Sequence, residues 1–162
     1  MEPLSVRSFE SGAVATAAAR ALATARECLG VRRTALFWLD DDSGRLACVA
    51  TAGGETEGWL GQTLAAGVGM AGRAVREGRA VWTPDLLADP RVLIAAWLRA
   101  RLEEEGLRAV AAAPVRVSGA IRGALGFLDG PGRVYDDGTL QRIQARADGV
   151  GGSVEGAQLS RS

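Results

Sequence analysis

Two cysteines, a glycine-rich hexapeptide and a run of aspartates are the residues of this chain whose types could do chemistry. Cys28 lies in ARECLG and Cys48 in RLACVATA. A thiolate at either place could serve as a nucleophile or redox group. Both have apolar neighbours in segments that read as helix and strand, where cysteine usually behaves as a buried small hydrophobe. Two thiols cannot by themselves make a four-thiolate metal site, and isolated reduced cysteines suit a cytosolic protein. Gly67-Val68-Gly69-Met70-Ala71-Gly72 has the letters of a dinucleotide fingerprint. That motif needs a buried strand before it, a full-length helix after it and an acid about twenty residues on. Residues 62–66 make a poor strand and the following helix stops at Gly78, so the glycines read as a tight turn. Asp40-Asp41-Asp42 lacks the ligand spacing and closing glutamate of a calcium loop and reads as a solvated hairpin turn.

What the chain lacks excludes more. It has no histidine, no lysine and no asparagine, and all 19 basic residues are arginine. Without histidine there is no imidazole base, no histidine-ligated haem and no histidine-containing zinc site. Without lysine there is no Schiff base and no P-loop lysine. The net charge of zero gives no footprint for nucleic acid or an anionic membrane. No apolar run is long enough for a membrane span. The N-terminus, with Glu2 and Pro3, lacks a signal-peptide layout, which makes the cytoplasm the expected compartment.

The elements that would position these residues can be read in order. The 162 residues suit one domain, with a core over about 12–159 and a loose arm over 1–10. A helix follows Ser11, with Val14, Ala18, Leu22, Ala25 and Leu29 as its apolar stripe and Gly30 as its stop. Strands are expected at 34–40, 45–52, 80–83, 107–117 and 120–129. Pro114 should lie near an edge, an end or a bulge. The first two strands form a hairpin, and Ser118-Gly119 turns the last two. A helix is expected over 92–105, its terminal Glu-Glu-Glu projecting into water, and a final helix from about Gly138. Gly149, Gly151, Gly152 and Gly156 weaken that last helix by about 1 kcal/mol each relative to alanine. Another helix packs on them or the segment frays.

With these residues the chain resembles a GAF domain, a small-molecule-sensing module of signalling proteins. The resemblance runs from about residue 12 to 159. It rests on Gly67–Val75 with Gly78-Arg79-Ala80-Val81, on Asp85 with Asp89-Pro90-Arg91, on Ala113-Pro114-Val115 with Gly119 and Gly123-Ala124-Leu125, and on Tyr135-Asp136-Asp137 with Leu140. It implies an α+β, PAS-related fold. A central antiparallel sheet of five or six strands would carry the terminal helices on one face and the loop helices with a ligand pocket on the other. The family's specialised chemistries find no residues here. Bilin attachment needs a cysteine beside histidine, haem a proximal histidine, and cyclic nucleotides a set containing asparagine and lysine. The methionine sulfoxide reductases rely on cysteines bordering the pocket in the middle and later chain. The resemblance therefore implies no cofactor and no enzyme.

On this reading the stretch 64–98 forms the pocket side. The candidate ligand-binding residues are Met70, Val81, Trp82, Leu87, Leu93, Trp97, Leu98 and Ala111, with Arg101, and also Arg73 and Arg91, available for an anionic group. The expected function is sensing of a small, largely apolar cytosolic ligand, with output through the terminal helices of a homodimer. The main alternative is a degenerate domain that only dimerises and scaffolds, its pocket filled by its own side chains. A thiol-based sensor or reductase ranks below both. The end at Ser160-Arg161-Ser162, just after a helix, suits one module of a longer protein with a covalent or separate output domain.

Overall fold

The computed structural model describes residues 3–160. Six strands, β1 (Arg33–Leu39), β2 (Leu46–Ala52), β3 (Thr63–Leu64), β4 (Val81–Thr83), β5 (Ala109–Val117) and β6 (Ala120–Asp129), join antiparallel in the order β3-β2-β1-β6-β5-β4. Four α-helices, α1 (Gly12–Leu29), α2 (Gly69–Glu77), α3 (Ala96–Glu105) and α4 (Asp137–Leu159), cover the sheet. Strand alternation divides the core into two layers. Leu36, Trp38, Ala111, Ala113, Leu125 and Phe127 pack with α1 and α4, while Ala35, Phe37, Val110, Ala112, Ala124 and Leu128 pack with α2 and α3. Burial on both faces is why these strands read as nearly continuous apolar runs.

The terminal helices follow from their stripes. Val14, Ala18, Leu22, Ala25 and Leu29 are the buried residues of α1, and Gly30 ends it with a left-handed φ of 64°. On α4 the buried face is Ile143, Ala147, Val150, Gly151 and Val154. Gly151 is required by close approach, since a Cβ there would stand 2.2 Å from the Arg116 carbonyl oxygen of β5. At the start of α4, the Asp136 carboxylate accepts from the Thr139 backbone N–H and hydroxyl, both at 2.8 Å. Those bonds hold its pKa below the ordinary carboxylate value. A depressed folded-state pKa stabilises the fold above the unfolded value of about 3.9, and the contribution is lost as pH falls through the folded value. Asp136→Ala should therefore lower the melting temperature at neutral pH, with the difference from wild type fading in strong acid.

Several local expectations change. The N-terminal arm is not loose from Leu4 onward: Val6–Phe9 form a 3-10 turn, Leu4 and Phe9 are buried, and the Phe9 ring lies 4.9 Å from that of Trp38. One turn is too short to display a hydrophobic period. Met1 and Glu2, at the start of that arm, lie outside the described residues. The helix expected over 92–105 begins only at Ala96. Ahead of it the chain is held open because the Leu93 carbonyl accepts the Gly69 N–H at 2.7 Å, satisfying a free donor at the start of α2. Of the three terminal glutamates of α3, Glu105 turns inward to an arginine. Pro114 sits in β5 beyond the end of β4, whose pairing stops at Ala112, so it takes no partner from that side.

Candidate functional site

Between the sheet and the second helical layer lies an apolar site. Phe37 of β1, Val110 and Ala112 of β5 and Gly126 and Leu128 of β6 form its floor. Met70 and Ala71 of α2 and Leu98 of α3 wall it, and Trp59, Leu64 and Leu86 close it from the connecting segments. The space left among them is a cavity of about 20 Å³, close to the volume one water needs. The rings are fixed in place. Trp97 donates its Nε1–H to the Thr63 carbonyl at 2.7 Å and stands edge-on to Trp59 at 5.8 Å. Phe37 lies 6.3 Å from Trp97.

The structure sorts the sequence-derived candidates. Met70 and Leu98 line the cavity, Val81 is buried in the same layer, and Leu87 and Trp97 are partly buried against it. Trp82 and Ala111 stand on the opposite face of the sheet, and Trp82 lies 5.9 Å from the Tyr135 ring there. The reason is alternation: Val81 and Trp82 are successive strand residues, as are Val110 and Ala111, so only one of each pair can face the site. Leu93 is 74% exposed, its side chain turned out while its carbonyl serves α2. Arg101 lies in a surface groove with Gly58, Trp97 and Glu104, outside the cavity. The arginines considered for anions are engaged by carboxylates: Arg73 with Glu77, Arg91 with Asp89 at 2.8 Å, Arg101 with Glu104 at 2.6 Å. The Arg91 hydrogen bond holds Asp89 well below the ordinary carboxylate range. Leu64, Ala71 and Leu86 also line the cavity, within the stretch 64–98 expected on the pocket side but not singled out in it, while Phe37, Trp59, Val110, Ala112, Gly126 and Leu128 come from outside that stretch. The alternation that excludes Trp82 and Ala111 would have selected Val110 and Ala112.

Beside the apolar site runs a polar bridge whose arginine is buried and whose glutamate is 28% exposed. Arg33 is 2% exposed; its guanidinium reaches the Glu105 carboxylate at 2.9 Å, donates to the Thr51 hydroxyl at 2.9 Å and covers the Trp59 ring at 4.5 Å. The other Glu105 oxygen accepts the Trp59 Nε1–H at 2.8 Å. The C-terminal turn of α3 is thereby tied to β1, to β2 and to the segment that delivers Trp59.

The candidate thiols are separated by the sheet. Cys28 is exposed on α1. Cys48 is buried in the same layer as the apolar site, which sequence reasoning had placed away from the pocket, and burial pushes its thiol up to about 12. At neutral pH it is a protonated hydrophobe. The glycine hexapeptide is a turn that runs straight into the first residues of α2. Gly67 and Gly69 have φ of 76° and 73°, and a Cβ on Gly72 would come within 2.8 Å of the Gly67 carbonyl carbon.

On the outer face, α1 and α4 border a groove of about 430 Å³. Ala17, Arg20, Ala21 and Thr24 line one side, and Ala145, Arg146, Gly149, Val150 and Ser153 the other. Gly149, Gly152 and Gly156 are exposed, and outside the neighbouring backbone of the helix itself no described atom lies within 4 Å of where a Cβ would stand.

A sequence-family model described as a GAF domain matches residues 13–155. No curated protein matches the chain. Among solved structures, the GAF domain of a phosphoenolpyruvate-protein phosphotransferase from Coxiella burnetii superposes with a TM-score of 0.77 at 17% identity, over 95% of this chain and 89% of that one. The free methionine-R-sulfoxide reductase of Neisseria meningitidis, solved with its substrate, gives 0.72 at 17% identity, over 95% and 85%. The GAF-B domain of DevS from Mycobacterium smegmatis gives 0.70 at 19%, over 91% and 97%. At such identities the likeness is one of fold.

Proposed function

Starting from the fact that the chain belongs to the GAF domain family, we propose that it is a non-catalytic regulatory module that works as a homodimer through α1 and α4. The observation that carries this reading is on α4. Gly151 is accounted for by β5, but Gly149, Gly152 and Gly156 face open space. Each weakens the helix by about 1 kcal/mol relative to alanine with no return inside one chain. A second helix packed closely against them supplies the return. The apolar site supports the same reading, because its own side chains fill it to about 20 Å³. The chain has no histidine, and burial holds the Cys48 thiol protonated, which supports a non-catalytic role. The module passes its state to a covalent or separate output domain through the helix pair.

Sedimentation over a wide concentration range tests this. The wild type should dimerise, and Gly152→Phe should stay folded and monomeric. Gly152→Ala should stabilise the monomer by about 1 kcal/mol while weakening the dimer. A wild type that remains monomeric at millimolar concentration sinks the proposal.

A second reading, sensing of a small apolar or aromatic ligand, is favoured by the convergence of Phe37, Trp59 and Trp97 on the cavity side of the sheet. It requires α3 and residues 84–95 to move away from the floor.

A further inference from the structure

A buried positive charge stands at the rim of the apolar site. Along β1, Arg33, Ala35 and Phe37 alternate onto the face of the sheet that carries the cavity. Opposite Arg33 on β6 stands Leu128, and the Arg33 guanidinium covers the Trp59 ring at 4.5 Å; Leu128 and Trp59 both line the cavity. The guanidinium is held in place independently of α3. Its Nη1 donates to the Thr51 hydroxyl at 2.9 Å, and that hydroxyl is itself committed to the Thr34 carbonyl at 2.8 Å. On another side, a Cβ on Gly54 would stand 2.4 Å from its Nη2. What α3 supplies is the anion. One oxygen of Glu105 takes the Arg33 Nε and Nη2 donors, both at 2.9 Å, and the other takes the Trp59 Nε1–H at 2.8 Å. The Arg33 and Trp59 donors thus converge on one carboxylate and fix its plane as well as its charge.

That carboxylate is the least secured member of the cluster. Glu105 is the last residue of α3 and follows Glu103 and Glu104 in a final turn with no basic residue, where the helix dipole disfavours negative charge. Its side chain is 28% exposed, against 2% for Arg33, so water reaches the acid and not the base. We infer that Arg33 and the Trp59 indole anchor a ligand site for small carboxylates with an apolar body, and that Glu105 is an exchangeable occupant of it. This inference rests on the ligand-sensing reading and names the class of ligand. The incoming carboxylate takes the Arg33 and Trp59 donors, the Glu105 side chain turns out to water, and the apolar body lies over Trp59 and Leu128. The end of α3 stays attached, because Arg32 donates to the Glu105 and Gly106 carbonyls at 3.3 and 3.4 Å. The turns of α3 ahead of that attachment lift to make room. A neutral ligand of the same shape has nothing to offer Arg33 and leaves the bridge closed, so the ligand's charge is what distinguishes the open state from the closed one.

Thermal melting of the whole chain with small carboxylates and their amides tests this. Phenylacetate at about 100 mM should raise the wild-type melting temperature by about 3 °C or more at fixed ionic strength, and phenylacetamide should not. In Glu105→Ala, which leaves the anchor open, acetate and propionate should do the same, while propionamide and inorganic phosphate should not. In Glu105→Gln the occupant is neutral, and phenylacetate should bind about tenfold more tightly than to wild type. Arg33→Met with Glu105→Leu should lose every carboxylate response. An equal wild-type response to phenylacetamide leaves a ligand site standing and overturns the carboxylate anchor. An equal response to phosphate overturns the choice of carboxylate. Unchanged affinity in Glu105→Gln means that phenylacetate binds without displacing Glu105, which overturns the exchange. A wild type and a Glu105→Gln protein that both ignore phenylacetate overturn it too, whatever Glu105→Ala does.

Discussion

Glu105→Ala should cost the protein about 3 kcal/mol of unfolding free energy, the low end of what breaking a buried ion pair costs, because the Glu105 side chain is itself 28% exposed. The cause is what the substitution leaves behind. Arg33 is 2% exposed and Glu105 its one ion-pair partner among the described residues, so the truncated protein would bury an uncompensated guanidinium. The Trp59 Nε1–H would lose its acceptor as well. Urea unfolding measures the loss as a shift in midpoint. The charge and the anchor separate in two further variants. Glu105→Gln keeps an oxygen for Trp59 or Arg33 and should fall between wild type and alanine. Arg33→Met with Glu105→Leu removes both charges and should recover part of the stability, the remainder being the buried Trp59 Nε1–H that still lacks its acceptor. A loss under about 1 kcal/mol for Glu105→Ala would mean that water reaches Arg33. The bridge would then be no more than a surface contact.

This bridge also marks where sequence reasoning stopped. Nothing in the sequence marks Arg33, just ahead of the first expected strand, and Glu105 reads as one of three solvated acids. Their pairing joins residues 72 positions apart, which no local period encodes. The long elements were different. The stripes of α1 and α4, the two hairpins and the two-faced sheet carry their period in the sequence, and the observed helices and strands follow it closely. Within the site each difference has its own cause. The resemblance puts Trp82 on the pocket side, yet a three-residue strand gives too little alternation to assign its face without its pairing to β5. Trp59 lies in a polar connection with no period at all, and only the tertiary fold shows it fully buried beside Phe37 and Leu64. Leu93 is apolar at helical spacing, but its carbonyl is needed at the start of α2 and the helix yields.

Met70→Ala should lower stability by about 2–5 kcal/mol, and its response to apolar probes bears on the two functional readings. Met70 is 2% exposed and lines the cavity with Trp59, Leu86 and Leu98. Removing its thioether leaves an apolar void that the surrounding rings, fixed by the Trp97–Thr63 bond and the Arg33–Glu105 bridge, cannot fill by collapse. Indole or benzene should then raise the melting temperature of Met70→Ala, since a ligand bound only by the folded state stabilises it in proportion to its occupancy. The wild type should not respond, because its cavity of about 20 Å³ admits no ring without displacing packed side chains. A wild type that gains as much from indole as the variant does would show that α3 and residues 84–95 open at little cost. The apolar layer would then be a working ligand site, and the filled cavity its closed state.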